Sequence, residues 1–216
     1  NRYETVVFPS RPPFEADTNR KPGKLAAGAQ YKRFALTADH ISPRAIPGEK
    51  GNMHVVTGLE HNELGRPSDQ AEMHEAMSRK RHEKLKAALR HPDFTHFKRF
   101  GDEGQVDVGL ISWGSTFGEC LEAMLKARGE GIRCAAMKVV MLSPFPTHGV
   151  TAFMADCKQV LVPELNYQGQ FANLLQAHVA KPVTRLNRVP GEPMKVEDIL
   201  EEIRQLAGKK AAQKAA

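Results

Sequence analysis

The residues of this chain whose types could do chemistry gather in a few places, and their spacing decides what that chemistry could be. Gly114-Ser115-Thr116-Phe117-Gly118 follows an apolar run and opens an amphipathic one, the position taken by phosphate loops and nucleophile elbows. Counted from Gly109 it has a Walker-like spacing, but Ser115 stands where that loop needs lysine, so the charge partner for phosphates is missing. An esterase elbow needs serine two residues after the first glycine, and Thr116 stands there. The expected use is a tight turn with a capping box between Thr116 and Glu119, which leaves only exposed amides as an anion-binding edge.

His54, Glu60, His61 and Glu63 form the close group of histidines and carboxylates. Imidazole and carboxylate suit zinc or iron. Both histidines would have to come from an irregular loop, however, and satisfying the backbone groups of a turn-rich segment is the expected role. His74-Glu75 begins like a zinc-protease helix, but Ser78 occupies the place of the second histidine. Arg44, between Pro43 and Ala45, could hold a carboxylate with both arms of its guanidinium. A structural ion pair is the expectation, and a substrate carboxylate the alternative. Glu164 and Asn166 are expected just past the carboxyl end of a strand, on the rim where open α/β sheets bind ligands and partners; Asn166 can also cap the helix that follows.

Catalytic, cofactor-binding and metal-ligating residues are therefore assigned to none of these positions. The sequence has no Gly-Asp-Gly followed by paired asparagines, no cysteine cluster, and no paired carboxylates with a separate base. Arg44, Glu60, His61, Glu63, Glu164 and Asn166 are the candidates for an interface or the edge of an active site.

Elements must position these residues. Three prolines and four glycines fall among the 27 residues from Ile41 to Pro67, interleaved with Ile41, Ile46, Met53, Val55, Val56 and Leu59. A solvated linker has no use for so much apolar surface, so this stretch is expected to be bound down. A helix is expected over 69–89, capped by Ser68, with Asp69 and Glu72 favourable to its dipole and Glu75 four residues before Arg79. Its apolar stripe of Met73, Met77, Leu85, Ala88 and Leu89 is interrupted by Arg81, and His91-Pro92 ends it.

From Val106 the pattern changes to short apolar runs alternating with amphipathic stretches. Strands are expected over 106–111, 137–142, 159–162 and 183–186, and helices over 116–128, 148–157, 168–179 and 196–206. Continuous apolar runs suit a sheet covered on both faces, and crossovers through helices make it mostly parallel. The fold class is thus α/β, a three-layer α/β/α sandwich preceded by an irregular connector with one long helix. Three parts follow: a connector over 1–105 with a first strand at 5–8 and a proline-rich region from Pro9 to Pro22; a domain over 106–208, expected to fold on its own; and a frayed tail over 209–216. Trp113, the single tryptophan, is expected in a core or interface.

Cys120, Cys134 and Cys157 are scattered and lack Cys-x-x-Cys spacing, which predicts reduced, buried thiols and argues against zinc or an iron–sulfur cluster held within this chain. The formal charge of +6 is spread along the chain without interleaved aromatics, so no nucleic-acid partner is expected. No window approaches the roughly 18 consecutive apolar residues that cross a bilayer, and no signal peptide opens the chain; a soluble, cytoplasmic protein with no membrane partner is the expectation.

Five motifs, in order, carry a resemblance: Ile41-Ser42-Pro43-Arg44-Ala45-Ile46-Pro47-Gly48, Thr57-Gly58-Leu59-Glu60-His61-Asn62-Glu63-Leu64-Gly65, Trp113-Gly114-Ser115-Thr116, Leu142-Ser143-Pro144-Phe145-Pro146, and Val162-Pro163-Glu164-Leu165-Asn166-Tyr167-Gln168-Gly169-Gln170. Together they resemble the alpha subunit of 2-oxoacid:acceptor (ferredoxin) oxidoreductases, the 2-oxoglutarate type in particular. The resemblance implies that 106–208 is similar to the C-terminal domain of transketolase, and that the chain, which begins with Asn1, is the C-terminal part of a longer alpha subunit. It implies a complete enzyme that converts a 2-oxoacid and coenzyme A to acyl-CoA and reduces ferredoxin. Thiamine diphosphate, magnesium and an iron–sulfur cluster are then expected in that enzyme and none bound by this chain alone. The implied partners are a beta subunit and upstream alpha-subunit domains, with the present chain as scaffold and subunit interface. Pyruvate and branched-chain 2-oxoacids are alternative substrates, and a non-catalytic transketolase-like interaction module is the alternative of a different class.

Overall fold

A central strand with six of its seven residues buried organises most of the chain. In the computed structural model, which describes residues 28–45, 48–91 and 94–208, Val106–Ser112 forms this strand, β2, with only Asp107 half exposed. The strand at 5–8, the proline-rich region from Pro9 to Pro22, Ile46 and Pro47 of the first motif, and the tail at 209–216 lie outside the described residues. The chain divides into two units, whose described parts are 28–91 and 94–208.

In the second unit five strands run in the order β1-β3-β2-β4-β5, where β1 is Phe97–Gly101, β3 Cys134–Val139, β4 Cys157–Glu164 and β5 Thr184–Asn187. All neighbours are parallel except β1, which pairs antiparallel with β3 from Phe97↔Val139 to Gly101↔Ala135. The sheet thus begins before Val106, and residues read as connector supply its edge. Phe97-Lys98-Arg99-Phe100 is a half-buried edge strand whose short, charged sequence gives little strand signal.

Helices cover both faces because each carries an apolar stripe at three- and four-residue spacing. The helices Phe117–Gly129 (α2) and Val196–Leu206 (α5) place Cys120, Ala123, Met124, Ala127, Ile199, Leu200 and Ile203 against Val108, Leu110 and Leu161. The helices Thr147–Asp156 (α3) and Gln170–His178 (α4) place Val150, Phe153, Met154, Phe171 and Leu175 against Ile111, Met137 and Val162 on the other face. The result is the three-layer α/β/α sandwich with a mostly parallel sheet.

The strand expected over 137–142 lies at Cys134–Val139, because the apolar run from Cys134 to Leu142 does not mark its own ends. Pairing with β2, Val108↔Cys134 through Ser112↔Lys138, selects the register, and Val140 and Met141 instead donate to the His96 carbonyl. The capping box at Thr116 does not form. Its hydroxyl donates back to the Trp113 carbonyl at 3.0 Å, and a 3-10 turn over Gly114–Thr116 leads into α2.

In the first unit, the helix Ala71–Ala87, labelled α1, continues into a 3-10 turn at Ala88–Arg90. It starts two residues after the expected Asp69, with Gln70 at the cap and no side-chain cap bond. The Ser68 amide donates to the Glu60 carbonyl, tying that residue to the loop. The pair of Glu75 with Arg79 forms at 2.7 Å on the exposed face, where such pairs contribute little. Leu85, expected in the apolar stripe, is exposed. The buried positions are Met77 and Lys80, whose long stem continues the stripe at i+3 while its ammonium finds an oxygen.

Candidate functional site

The carboxyl edge of the sheet has the topology of a binding crevice. From β2 the chain enters α2 on one face, and from the neighbouring β4 it enters α4 on the other, so the two connections part. Open α/β sheets bind ligands where this happens. Here a cleft of about 190 Å³ opens between Trp113, Gly114, Ser115, Thr116 and Glu164, Leu165, Asn166. A second hollow of about 430 Å³ shares Ser115 and Leu165 with it and is walled by Glu119 and by Val189 to Pro193.

Glu164 is 2 % exposed, and its carboxylate is consumed by the fold. It accepts from the Phe171 amide at 2.8 Å and the Ala172 amide at 2.7 Å, two of the otherwise unpaired donors in the first turn of α4. Asn166 donates to Glu164 at 2.6 Å while its own oxygen accepts from the Gly169 and Gln170 amides at 2.6 and 3.1 Å. Gly169 adopts φ +66°, which lets the chain turn into α4. A negative charge at a helix start is favoured by the dipole. The two residues therefore build the rim, and what the rim offers outward is Trp113, half-exposed with its ring centroid 6.4 Å from that of Phe171, the hydroxyl of Ser115, and Tyr167.

The motif loop of the first unit is held by side chains, with little secondary structure beyond an isolated bridge of His61 with Pro67. Tyr31, buried at 4 % exposure, donates from its hydroxyl to the Pro43 carbonyl at 2.7 Å and accepts from the Ala45 amide at 2.9 Å. Arg44, between those two anchors, projects into solvent from a pinned turn. Glu60 accepts from both arms of Arg81, from His74 Nδ1 at 2.7 Å and from the His61 amide at 3.0 Å. The Arg81 guanidinium first, then the His61 amide and His74, hold its carboxyl well below the usual carboxylate range. Glu63 accepts from Lys32 at 2.7 Å and the Leu36 amide at 3.0 Å, and these partners outweigh its burial and lower its pKa. His61 packs 4.1 Å from the Phe34 ring centroid and bonds the Leu59 carbonyl through Nδ1 at 2.9 Å; His54 Nδ1 bonds the Asn52 carbonyl at 2.8 Å.

Lys80 completes the loop's attachment. Its Nζ donates to the Phe34 carbonyl at 2.8 Å, and burial, with help from Lys84 and Arg33 nearby, pushes its pKa down to about 8. Sequence reasoning singled out neither Tyr31 nor Lys80, because a tyrosine before a proline turn and a lysine inside a basic helix carry no spacing signature. His74 and Arg81 could have been paired with Glu60 from their seven-residue separation on one helix face.

Among the described residues no three of His, Cys, Asp and Glu stand close enough to hold a metal ion. The thiols do not fit an iron–sulfur cluster: all three are buried, and burial pushes Cys120 and Cys134 up to about 12 and Cys157 up to about 11. Cys157 donates to the Phe153 carbonyl at 3.1 Å. A cluster ligand must be a thiolate, which these sites disfavour. Among the described residues no helix is long and apolar enough to cross a membrane.

Comparison with known proteins places this geometry. Residues 106–199 match the family model "Pyruvate:ferredoxin oxidoreductase core domain II". The alpha subunit of 2-oxoacid:ferredoxin oxidoreductase 2 of Aeropyrum pernix is 38 % identical over 168 residues, 77 % of this chain and 26 % of that one. The 2-oxoglutarate oxidoreductase subunit KorA of Mycobacterium tuberculosis is 33 % identical over 187 residues, 85 % of this chain and 28 % of that one. Among solved structures, 2-oxoglutarate:ferredoxin oxidoreductase from Magnetococcus marinus, with 2-oxoglutarate, coenzyme A and succinyl-CoA bound, superposes with a TM-score of 0.77 at 38 % identity, over 85 % of this chain and 32 % of that one. The chain spans 26 to 28 % of the length of these curated relatives.

Proposed function

We propose, from the premise that this chain belongs to the alpha-subunit family of 2-oxoacid:ferredoxin oxidoreductases, that it supplies scaffold and subunit interface to an enzyme that oxidatively decarboxylates 2-oxoglutarate. The coenzyme A thioester is the product and ferredoxin the electron acceptor. The observation that supports this reading most is the superposition, over most of this chain, on a protein holding 2-oxoglutarate, coenzyme A and succinyl-CoA.

Thiamine diphosphate would supply the carbanion chemistry, and it, magnesium and the iron–sulfur cluster belong in this reading to parts of the enzyme other than this chain. The chain's own residues build surfaces. Glu164 and Asn166 fix the carboxyl rim of the sheet, and Tyr31, Glu60, Glu63 and Lys80 hold the motif loop in one conformation. Arg44, exposed on that loop and without an ion pair among the described residues, is offered for one in the assembly. The test is to assemble the chain with the remaining alpha-subunit domains and the beta subunit from its own genome. Expected is reduction of ferredoxin or a viologen dye that needs 2-oxoglutarate and coenzyme A together. Preference for pyruvate or a branched-chain 2-oxoacid would correct the substrate, and an assembly inert towards every 2-oxoacid would overturn the reading in favour of a non-catalytic module.

A further inference from the structure

A buried hydroxyl holds the turn that carries an exposed arginine. Tyr31 is 4 % exposed, and its oxygen donates to the Pro43 carbonyl at 2.7 Å while accepting from the Ala45 amide at 2.9 Å. A phenol has one proton to donate, and here it goes to the chain's own backbone.

The two groups that Tyr31 holds belong to different peptide planes. The Pro43 carbonyl is part of the plane that precedes the Arg44 Cα, and the Ala45 amide is part of the plane that follows it. Peptide units are planar, so the rotations of these two planes about the Cα between them are its φ and ψ, the only soft dihedrals it has. One oxygen therefore fixes both backbone dihedrals of Arg44, and with them the direction in which its side chain leaves the chain. Neighbours stiffen the same turn. Pro43 has its φ set by its ring, and the Ser42 hydroxyl donates to the Ala35 carbonyl at 2.9 Å. Tyr31 is itself held, since the His54 ring packs edge-on to it with centroids 5.3 Å apart, and His54 Nδ1 bonds the Asn52 carbonyl at 2.8 Å.

This clamp presents a cation that is exposed and has no ion pair among the described residues. Fixing backbone costs conformational entropy, and an arginine that only met solvent would gain nothing from it. An arginine that grips a carboxylate with both arms does gain. Its planar fork must meet the carboxylate in plane, and a stem already aimed leaves less to order on binding.

We propose that Tyr31 is a positioning residue that acts through Arg44, aiming the guanidinium at a carboxylate met in the assembled oxidoreductase. This rests on the reading of the chain as part of that enzyme. A 2-oxoacid and an acidic side chain of the assembly offer the same carboxylate chemistry, and kinetics separate them.

The experiment is a double-mutant cycle with Tyr31→Phe, Arg44→Ala and the pair, in this chain assembled with the remaining alpha-subunit domains and the beta subunit. Tyr31→Phe keeps the ring and removes only the hydroxyl. Each enzyme is read for kcat and KM with 2-oxoglutarate, and for the concentration at which the assembly forms. Expected is that Arg44→Ala worsens one of these quantities about tenfold or more, as loss of one partner of a charge pair does. Tyr31→Phe should worsen the same quantity about threefold or more, since misplacing a binding group is costly. The double variant should be no worse than Arg44→Ala alone. A raised KM at unchanged assembly gives the carboxylate to the substrate, and weakened assembly at unchanged KM gives it to a protein side chain. A general role in holding the loop predicts that Tyr31→Phe does the same harm with the arginine present or absent, and that outcome overturns the proposal. So does a Tyr31→Phe enzyme indistinguishable from wild type, or an Arg44→Ala enzyme that assembles and turns over normally. These three outcomes leave the proposed function standing, because the wild-type enzyme is active in each. A wild-type assembly inert towards every 2-oxoacid overturns the proposed function and the role of Tyr31 with it.

Discussion

The two units use their apolar residues in opposite ways. In 94–208, Val106, Leu110, Ile111, Phe153, Leu161 and Leu175 are buried, and even the carboxylate of Glu164 is turned to the capping of α4. In 28–91 a single tyrosine and a single methionine are the buried large apolar residues, while Met53, Val56, Leu59 and Leu85 face outward. A sheet between helices is complete by itself, because each face finds its cover within the same hundred residues. A loop held by Tyr31, Glu60, Glu63 and Lys80 has the polar groups of those side chains bonded and its apolar ones left over. Fixed backbone with uncovered apolar surface is the mark of an interaction site.

The comparison breaks first in the core. Phe153→Ala should destabilise 94–208 by about 4 kcal/mol, as large aromatic truncations in cores do, read from denaturant unfolding. Unfolding at the wild-type midpoint would show that the sandwich is not the self-sufficient part. Next, Glu164→Ala strands the Phe171 and Ala172 amides at the start of α4, and a loss of about 3 kcal/mol is expected from two buried donors left unpaired. If Glu164→Ala melts like wild type, the carboxylate is free for a ligand after all.

Lys80 sharpens the comparison through pH. Its folded pKa of about 8 lies below the ordinary 10.5, so between those values the unfolded chain binds the proton that the folded one has released. Stability should therefore rise with pH from about 8 towards 10.5, and the cost of burying the charge is fully present below 8. Lys80→Met leaves the Phe34 carbonyl without its donor and should cost about 1–2 kcal/mol. It should also abolish the rise, so that the gap between variant and wild type widens with pH in thermal melts from pH 7 to 10. A constant gap would mean that Lys80 is not titrating in the folded state.

Glu60 gives a smaller, opposite dependence. Its folded pKa is depressed, so its contribution is present above the unfolded value near 4.5 and lost as pH falls below it. Glu60→Gln should flatten the acid limb of a melting profile below pH 4.5. Smallest of all, Met53→Ser and Val56→Ser should leave the melting of the free chain unchanged within about 0.5 kcal/mol, the range of surface substitutions. A large loss on either would mean that these side chains support the loop from within.

Much of the molecule is legible in the order of its amino acids. The helix at Val196–Leu206 falls where its stripe of Ile199, Leu200 and Ile203 puts it, and Val106–Ser112 follows from an apolar run in which only Asp107 and the terminal Ser112 are polar. Asn166 as an anchor of the strand-to-helix turn is readable, although the cap position itself is taken by Gly169 and Asn166 accepts from the Gly169 and Gln170 amides. The buried state of all three cysteines follows from their apolar surroundings. Hydrophobic periodicity and turn chemistry are local properties, and a sequence carries them on its face.

Tertiary structure alone decided the rest. Whether the run from Cys134 to Leu142 is a strand at its start or its end depended on β2 opposite it, and Phe97–Gly101 became a strand because β3 left an edge to pair. Glu164 became an internal cap because α4 turned its amides toward it, and Arg44 stayed outside because Tyr31 took both its neighbours. A side chain's type states what bonds it can make, but only the folded chain brings the partner, since contacts between residues far apart in sequence have no local pattern to announce them.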